Sequence, residues 1–244
     1  MKNRHLSIGD LYLEVTRRCN MKCEHCLRGD AQAVDMSRET VDKIFDLCDD
    51  ISSITFTGGE PSLNLPLIDY VFEKCKEKWG YIPPFFIATN GMKNQVELAS
   101  LLLRAYAYVE EKECCSVALS VDTFHDAFYQ VETNFLKGLS FYSDCKEHDL
   151  TKGVDTSFLL NMGRAKENGL AEEDNPYRNQ SLQPKLQCDF YDDTVFVESF
   201  CVTALNEVVS ECDYSYDMAA ENRVCMLDEL EEHLLKCEEE ANVN

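Results

Sequence analysis

"LYLEVT" (11–16) is followed two residues later by "CNMKCEHC" (19–26). The first stretch is apolar and β-rich enough to read as a strand. The second places three cysteines in eight residues, spaced C-x3-C-x2-C. A strand that empties directly into a thiol cluster suggests a sheet protein with its chemistry at the strand ends.

The rest of the chain continues that rhythm. Strands are expected at 53–58, 84–90, 115–122 and 156–161, and helices at 37–50, 66–79, 95–110 and, for the most part, 126–148, with a break at Gly138. Apolar strands without clean alternation point to burial on both faces, as in a parallel sheet. Repeated βα units then give a barrel or an open wound sheet, with ligands at the carboxyl ends of the strands. Five polar or Gly-rich motifs fall at those ends: Cys19, Gly58–Pro61, Asn90, Asp122 and Gly163–Arg164. The fold class is α/β, with a core over 1–170 and a C-terminal extension over 171–244. Residues 172–194 read as a polar loop. Two strands are expected at 194–203 and 207–212 around "ALN", as a sixth barrel-like strand or a small hairpin, and an acidic amphipathic helix at 224–241.

The 244 residues include 13 cysteines, 23 basic and 45 acidic side chains, for a net charge of −22. Residues 172–244 hold 19 acids against 4 bases. A nucleic-acid backbone would meet the wrong sign, so no nucleic-acid partner is expected. The acidity reads as a solvated surface or as a docking face for a basic partner. No apolar run reaches the length of a signal peptide or membrane span, so a cytoplasmic protein without membrane contact is expected. An odd number of cysteines in that compartment argues for buried or metal-binding thiols over disulfides.

Three clustered thiolates suit a soft or borderline metal. His25, beside Cys26, is a poor fourth ligand for zinc, although a distant cysteine could complete such a set. An iron–sulfur cluster fits better, and it leaves one iron open to a substrate or cofactor.

The cysteine spacing after the first strand and "GGEP" (58–61) after the second resemble the radical S-adenosylmethionine (radical SAM) superfamily. The resemblance covers residues 11 to about 165. It implies a partial (β/α)6 TIM-like barrel, a [4Fe–4S] cluster and S-adenosylmethionine. By the same resemblance Cys19, Cys23 and Cys26 are the cluster ligands, and Gly58, Gly59 and Glu60 bond the methionine amino group, with Pro61 fixing the turn. His25 takes the position near the adenine, Asn90, Ser120 and Asp122 contact the ribose or methionine moiety, and Arg164 binds the methionine carboxylate. The implied reaction is an oxidoreductase step. An electron from a flavodoxin or ferredoxin-type donor cleaves S-adenosylmethionine, and the 5′-deoxyadenosyl radical abstracts hydrogen from a substrate.

"VFVESFCVTALNEVVSECDYSYD" (195–217) resembles the hairpin-then-cysteine pattern of SPASM or twitch extensions in peptide-modifying members. It departs from that pattern in having Asn206 in the turn and no later run of cysteines. Cys188, Cys201, Cys212 and Cys225 are enough for a second cluster, but a hairpin with packed thiols is the simpler reading. A peptide or protein substrate is therefore expected first. The alternatives are a small-molecule enzyme resembling 7-carboxy-7-deazaguanine synthase, a glycyl-radical activase, or a metal-binding module without turnover, which Glu60 and the glycines argue against.

Overall fold

The computed structural model of the chain describes residues 4–120, 134–144, 159–171 and 185–243. Its first strand, β1 (His5–Thr16), sends Leu6, Ile8, Leu11, Leu13 and Val15 into the core. The period-two alternation slips once, at Gly9, where a Cβ would stand 2.4 Å from the carbonyl oxygen of Glu198. The side chains of Tyr12 and Glu14 alternate with this apolar set and go to the other face.

β1 is followed by α1 (Arg38–Leu47), β2 (Asp50–Gly58), α2 (Leu65–Trp79), β3 (Phe85–Thr89), α3 (Gln95–Tyr106) and β4 (Ser116–Leu119). Ser37 caps α1 by accepting from the Thr40 N–H at 3.2 Å. Gly80 ends α2 in the left-handed conformation, at φ 82°. The helices bury Val41, Ile44 and Phe45, then Ile68, Val71 and Phe72, then Leu98 and Leu102, each set against one face of the sheet. At about 1.5–3 kcal/mol per fully buried large aliphatic or aromatic side chain, this layer dominates the stability of the barrel.

The sequence-based expectation for 126–148 is corrected over its described part. Asn134 caps a single 3-10 turn at Phe135–Gly138, and Tyr142–Asp144 forms β5, parallel to β4. Leu136 and Leu139 are buried at a spacing that mimics a helix, and a three-residue strand shows no period of its own. Of the strand expected at 156–161, residues 159–161 are irregular and lead into α4 (Gly163–Glu167), and the others lie outside the described residues.

After β6 (Cys188–Phe190) come β7 (Thr194–Val202) and β8 (Glu207–Val209), joined around Asn206 at φ 64°. The chain closes with α5 (Tyr216–Glu221), β9 (Cys225–Met226) and α6 (Leu230–Val243). Among the described residues these strands make one sheet in the order β5-β4-β3-β2-β1-β7-β8-β9, with β6 also on β7. Pairing is parallel from β5 through β7 and antiparallel beyond. β7 is thus both a parallel barrel strand, docked on β1, and one arm of a hairpin. This is a partial TIM-like barrel in which the C-terminal segment lies beside β1.

Candidate active site

Thr16 begins the site. Its carbonyl accepts the Gly59 N–H at 2.8 Å, and the carbonyl of Arg18 accepts the Glu60 N–H at 2.8 Å. Side chains at the two glycines would destroy this zipper. A Cβ at Gly58 would meet the oxygen of Thr16 at 2.1 Å, and one at Gly59 the oxygen of Arg18 at 2.3 Å. Gly58 also holds φ at +136°. The glycines therefore clamp the end of β2 against the chain entering the cysteine loop.

The clamp delivers Glu60 into the interior. Its Oε1 accepts from the Ser62 N–H at 3.0 Å and from Thr89 Oγ1 at 2.5 Å, and its Oε2 accepts from the Asn90 N–H at 2.8 Å. Pro61 is buried at the head of the 3-10 turn Pro61–Asn64. Asn90 then reaches across the cleft, donating from Nδ2 to Asn20 Oδ1 at 3.0 Å, inside the cysteine loop.

Cys19, Cys23 and Cys26 are half-buried and line one cleft of about 580 Å³ together with His25, Glu60 and Ser120. The other lining residues include Gly58, Gly59, Pro61 and Asn90, and, from beyond β8, Cys212 and Asp213. Burial pushes the Cys19 thiol up, and the Met21 N–H that donates to its sulfur at 3.4 Å pulls it down. Among the described residues no three His, Cys, Asp or Glu side chains stand close enough to hold a single metal ion. Soft thiols spread along one cleft suit a larger group. One buried polar atom beside Cys19, Asn20 Nδ2, has no hydrogen-bond partner within the described protein. An iron–sulfur cluster with a polar organic ligand fits that donor set.

Arg164 is placed differently from the cleft residues. Its Nε donates to the carbonyl of Cys23 at 2.9 Å, its Nη1 to Asp30 Oδ1 at 2.9 Å, and its backbone N–H to the carbonyl of Cys26 at 2.9 Å. It therefore braces the cysteine loop from behind. Gly163, at φ 52°, allows this approach, since a Cβ there would lie 2.3 Å from the oxygen of Leu27. Asp122 lies outside the described residues. The four cysteines weighed for a second cluster do not converge. Cys188 and Cys225 pack on the main core, whereas Cys201 and Cys212 belong to a separate group with Tyr12 and Tyr214.

The sequence reading missed the buried charges that surround the loop. Glu14 Oε1 accepts from Arg17 Nε at 2.6 Å, and Glu207 Oε2 lies 3.7 Å from Arg17 Nη2. Arg28 donates from Nη1 to the carbonyl of Tyr214 at 2.9 Å and from Nη2 to Thr57 Oγ1 at 3.0 Å. Glu14, Arg17 and Arg28 flank the cysteine stretch, but basic residues beside a motif usually stay in water, and Glu207 lies far off in the hairpin.

The profile of the radical SAM superfamily matches residues 13–141, more than half of the chain. The chain is 31% identical over 164 residues to the antilisterial bacteriocin subtilosin biosynthesis protein AlbA of Bacillus subtilis, covering 61% of this chain and 33% of AlbA. It is 36% identical over 72 residues to the uncharacterized protein MJ0907 of Methanocaldococcus jannaschii, covering 28% of this chain and 25% of that protein. The matches thus span a third or less of the length of these relatives. The structure of native anSMEcpe with bound AdoMet and Kp18Cys peptide superposes with a TM-score of 0.53 at 16% identity, over 93% of this chain and 80% of that one. At that identity the likeness speaks for the fold, a partial barrel. The chain belongs to the radical SAM superfamily, a membership that implies a [4Fe–4S] cluster and S-adenosylmethionine.

Proposed function

We propose that this enzyme performs hydrogen abstraction on a peptide or protein, with Cys19, Cys23 and Cys26 holding the cluster. The observation that carries the reading is the single cleft onto which the cysteine loop, Glu60, and the C-terminal residues Cys212 and Asp213 all open. Cofactor-side and substrate-side walls come from opposite parts of the chain, so one opening serves both. The likeness to AlbA, a protein named for bacteriocin biosynthesis, supports a peptide as the partner.

Held by Cys19, Cys23 and Cys26 and in the cleft beside Glu60, a cluster and S-adenosylmethionine would supply one-electron, hydrogen-abstracting chemistry. The protein's part is positioning. Glu60, held by three donors, presents a fixed carboxylate suited to an ammonium group. His25 and Asn90 border the space for the nucleoside, with Ser120 behind them, its N–H on the carbonyl of Thr89 at 2.9 Å. Arg164 fixes the curvature of the loop through the carbonyls of Cys23 and Cys26. A ferredoxin or flavodoxin-type donor supplies the electron.

Anaerobic reconstitution followed by measurement of 5′-deoxyadenosine release, with and without candidate precursor peptides, tests the proposal. Release that rises on addition of a peptide, with a mass change in that peptide, supports it. Release that no peptide alters, but that a small carboxylated heterocycle stimulates, replaces it with the small-molecule reading.

A further inference from the structure

Among the described residues Arg28 is a buried cation with no direct ion pair. The residue is 9% exposed, and its guanidinium hydrogen bonds go to neutral groups, the Tyr214 carbonyl and the Thr57 hydroxyl. No ion pair among the described residues engages it, although a guanidinium removed from water normally demands one. Its nearest charged neighbours are spoken for. Glu14 pairs with Arg17, and Glu207 lies between Arg17 and Arg223, whose Nη1 is 3.3 Å from Glu207 Oε1. Neither carboxylate contacts Arg28, which feels Glu14 only through space and shares the cleft lining with Glu60 and Asp213.

That charge borders the cleft. Glu60 belongs to the β3 side, where Thr89 and Asn90 hold it. Arg28 belongs to the other side, between Thr57 on β2 and Tyr214 in the C-terminal segment, next to Cys212 and Asp213. The neutral bonds fix the plane of the guanidinium and leave further N–H groups for a ligand, because the group carries five donors.

We propose that Arg28 is a substrate-binding residue that takes a carboxylate of the peptide, a Glu or Asp side chain or the C-terminus. This rests on the reading that the cleft receives a peptide. It adds that the acidic enzyme selects an acidic anchor at one point. The carboxylate completes an ion pair in a desolvated setting, where the planar fork of arginine bonds two oxygens at once.

The test uses full-length reconstituted enzyme with S-adenosylmethionine bound, and the probe is a pool of short peptides. Each peptide is present with a Glu and a free C-terminus, and again with Gln and an amidated C-terminus. Retained peptides are read by mass spectrometry for the parent, Arg28→Gln and Arg28→Lys. The parent is expected to enrich the carboxylate members about tenfold, Arg28→Gln to lose the preference, and Arg28→Lys to keep part of it. Affinity for S-adenosylmethionine, from equilibrium dialysis, stays within about twofold. No preference in the parent, or a preference unchanged in Arg28→Gln, overturns the proposal. So does a large loss of S-adenosylmethionine affinity with peptide preference retained, which assigns Arg28 to the cofactor carboxylate. Unfolding of both variants makes the residue a structural bridge and overturns it as well. Basal 5′-deoxyadenosine formation without peptide reports separately on the radical reaction, so the two failures are distinguishable.

Discussion

Glu60 Oε2 accepts the backbone N–H of Asn90 at 2.8 Å, which ties the end of β2 to the end of β3 across the floor of the cleft. With Ser62 and Thr89 on Oε1, both oxygens of the carboxylate are engaged by donors. Glu60→Gln places an NH2 group against one of them. A local cost of about 1–3 kcal/mol follows from the unsatisfied pair. Thermal unfolding of the metal-free variant should show it, and 5′-deoxyadenosine formation should fall at least about tenfold through a raised KM for S-adenosylmethionine.

Gly58→Ala combines a backbone penalty at φ +136° with a contact of 2.1 Å to the Thr16 oxygen. The expected loss is about 2–4 kcal/mol in denaturant unfolding, accompanied by poor iron loading because the cysteine loop loses its support. Gly138→Ala is the control, since a Cβ there meets nothing within 4 Å.

Single replacement of Cys19, Cys23 or Cys26 by Ala should take iron from about four per chain to near zero. The fold should persist, since these side chains are only half-buried. Cys212→Ala shares the cleft and should leave the iron count unchanged.

Alkaline pH should destabilise the protein through buried thiols. Burial pushes Cys48 from 9.0 up to about 12. Below pH 9 the folded and unfolded chains both hold this proton, and stability is complete. Above it the unfolded chain releases the proton while the folded chain keeps it, so stability drains as pH rises toward 12. One such thiol contributes a slope of about 1.4 kcal/mol per pH unit. Denaturation midpoints of the parent and Cys48→Val, measured from pH 7.5 to 10.5, should draw together and then cross in favour of the variant.

That the cysteine loop and GGEP meet at one cleft was legible in the sequence, because each motif is local and follows one of two successive strands. The first four strands and three helices were legible for a similar reason, since each carries a long apolar pattern. β5 was not, because Tyr142–Asp144 is too short to show a period. The position of Arg164 was open as well. The sequence places it after the barrel strands, but only folding brings its guanidinium to the carbonyl of Cys23, 141 positions away. The buried Glu14–Arg17–Glu207 group was invisible because its members come from β1, the cysteine approach and the hairpin, and nothing local marks a charge as desolvated.

β7 covers eight paired positions of β1, from His5 to Leu13. Were the chain cut after residue 170, that ladder would be bare: a long unpaired edge carrying Leu6, Ile8, Leu11 and Leu13. Such an edge recruits other strands. A truncated barrel should therefore accumulate as aggregate, so that the segment contributing Cys212 and Asp213 to the cleft also shields the edge of β1.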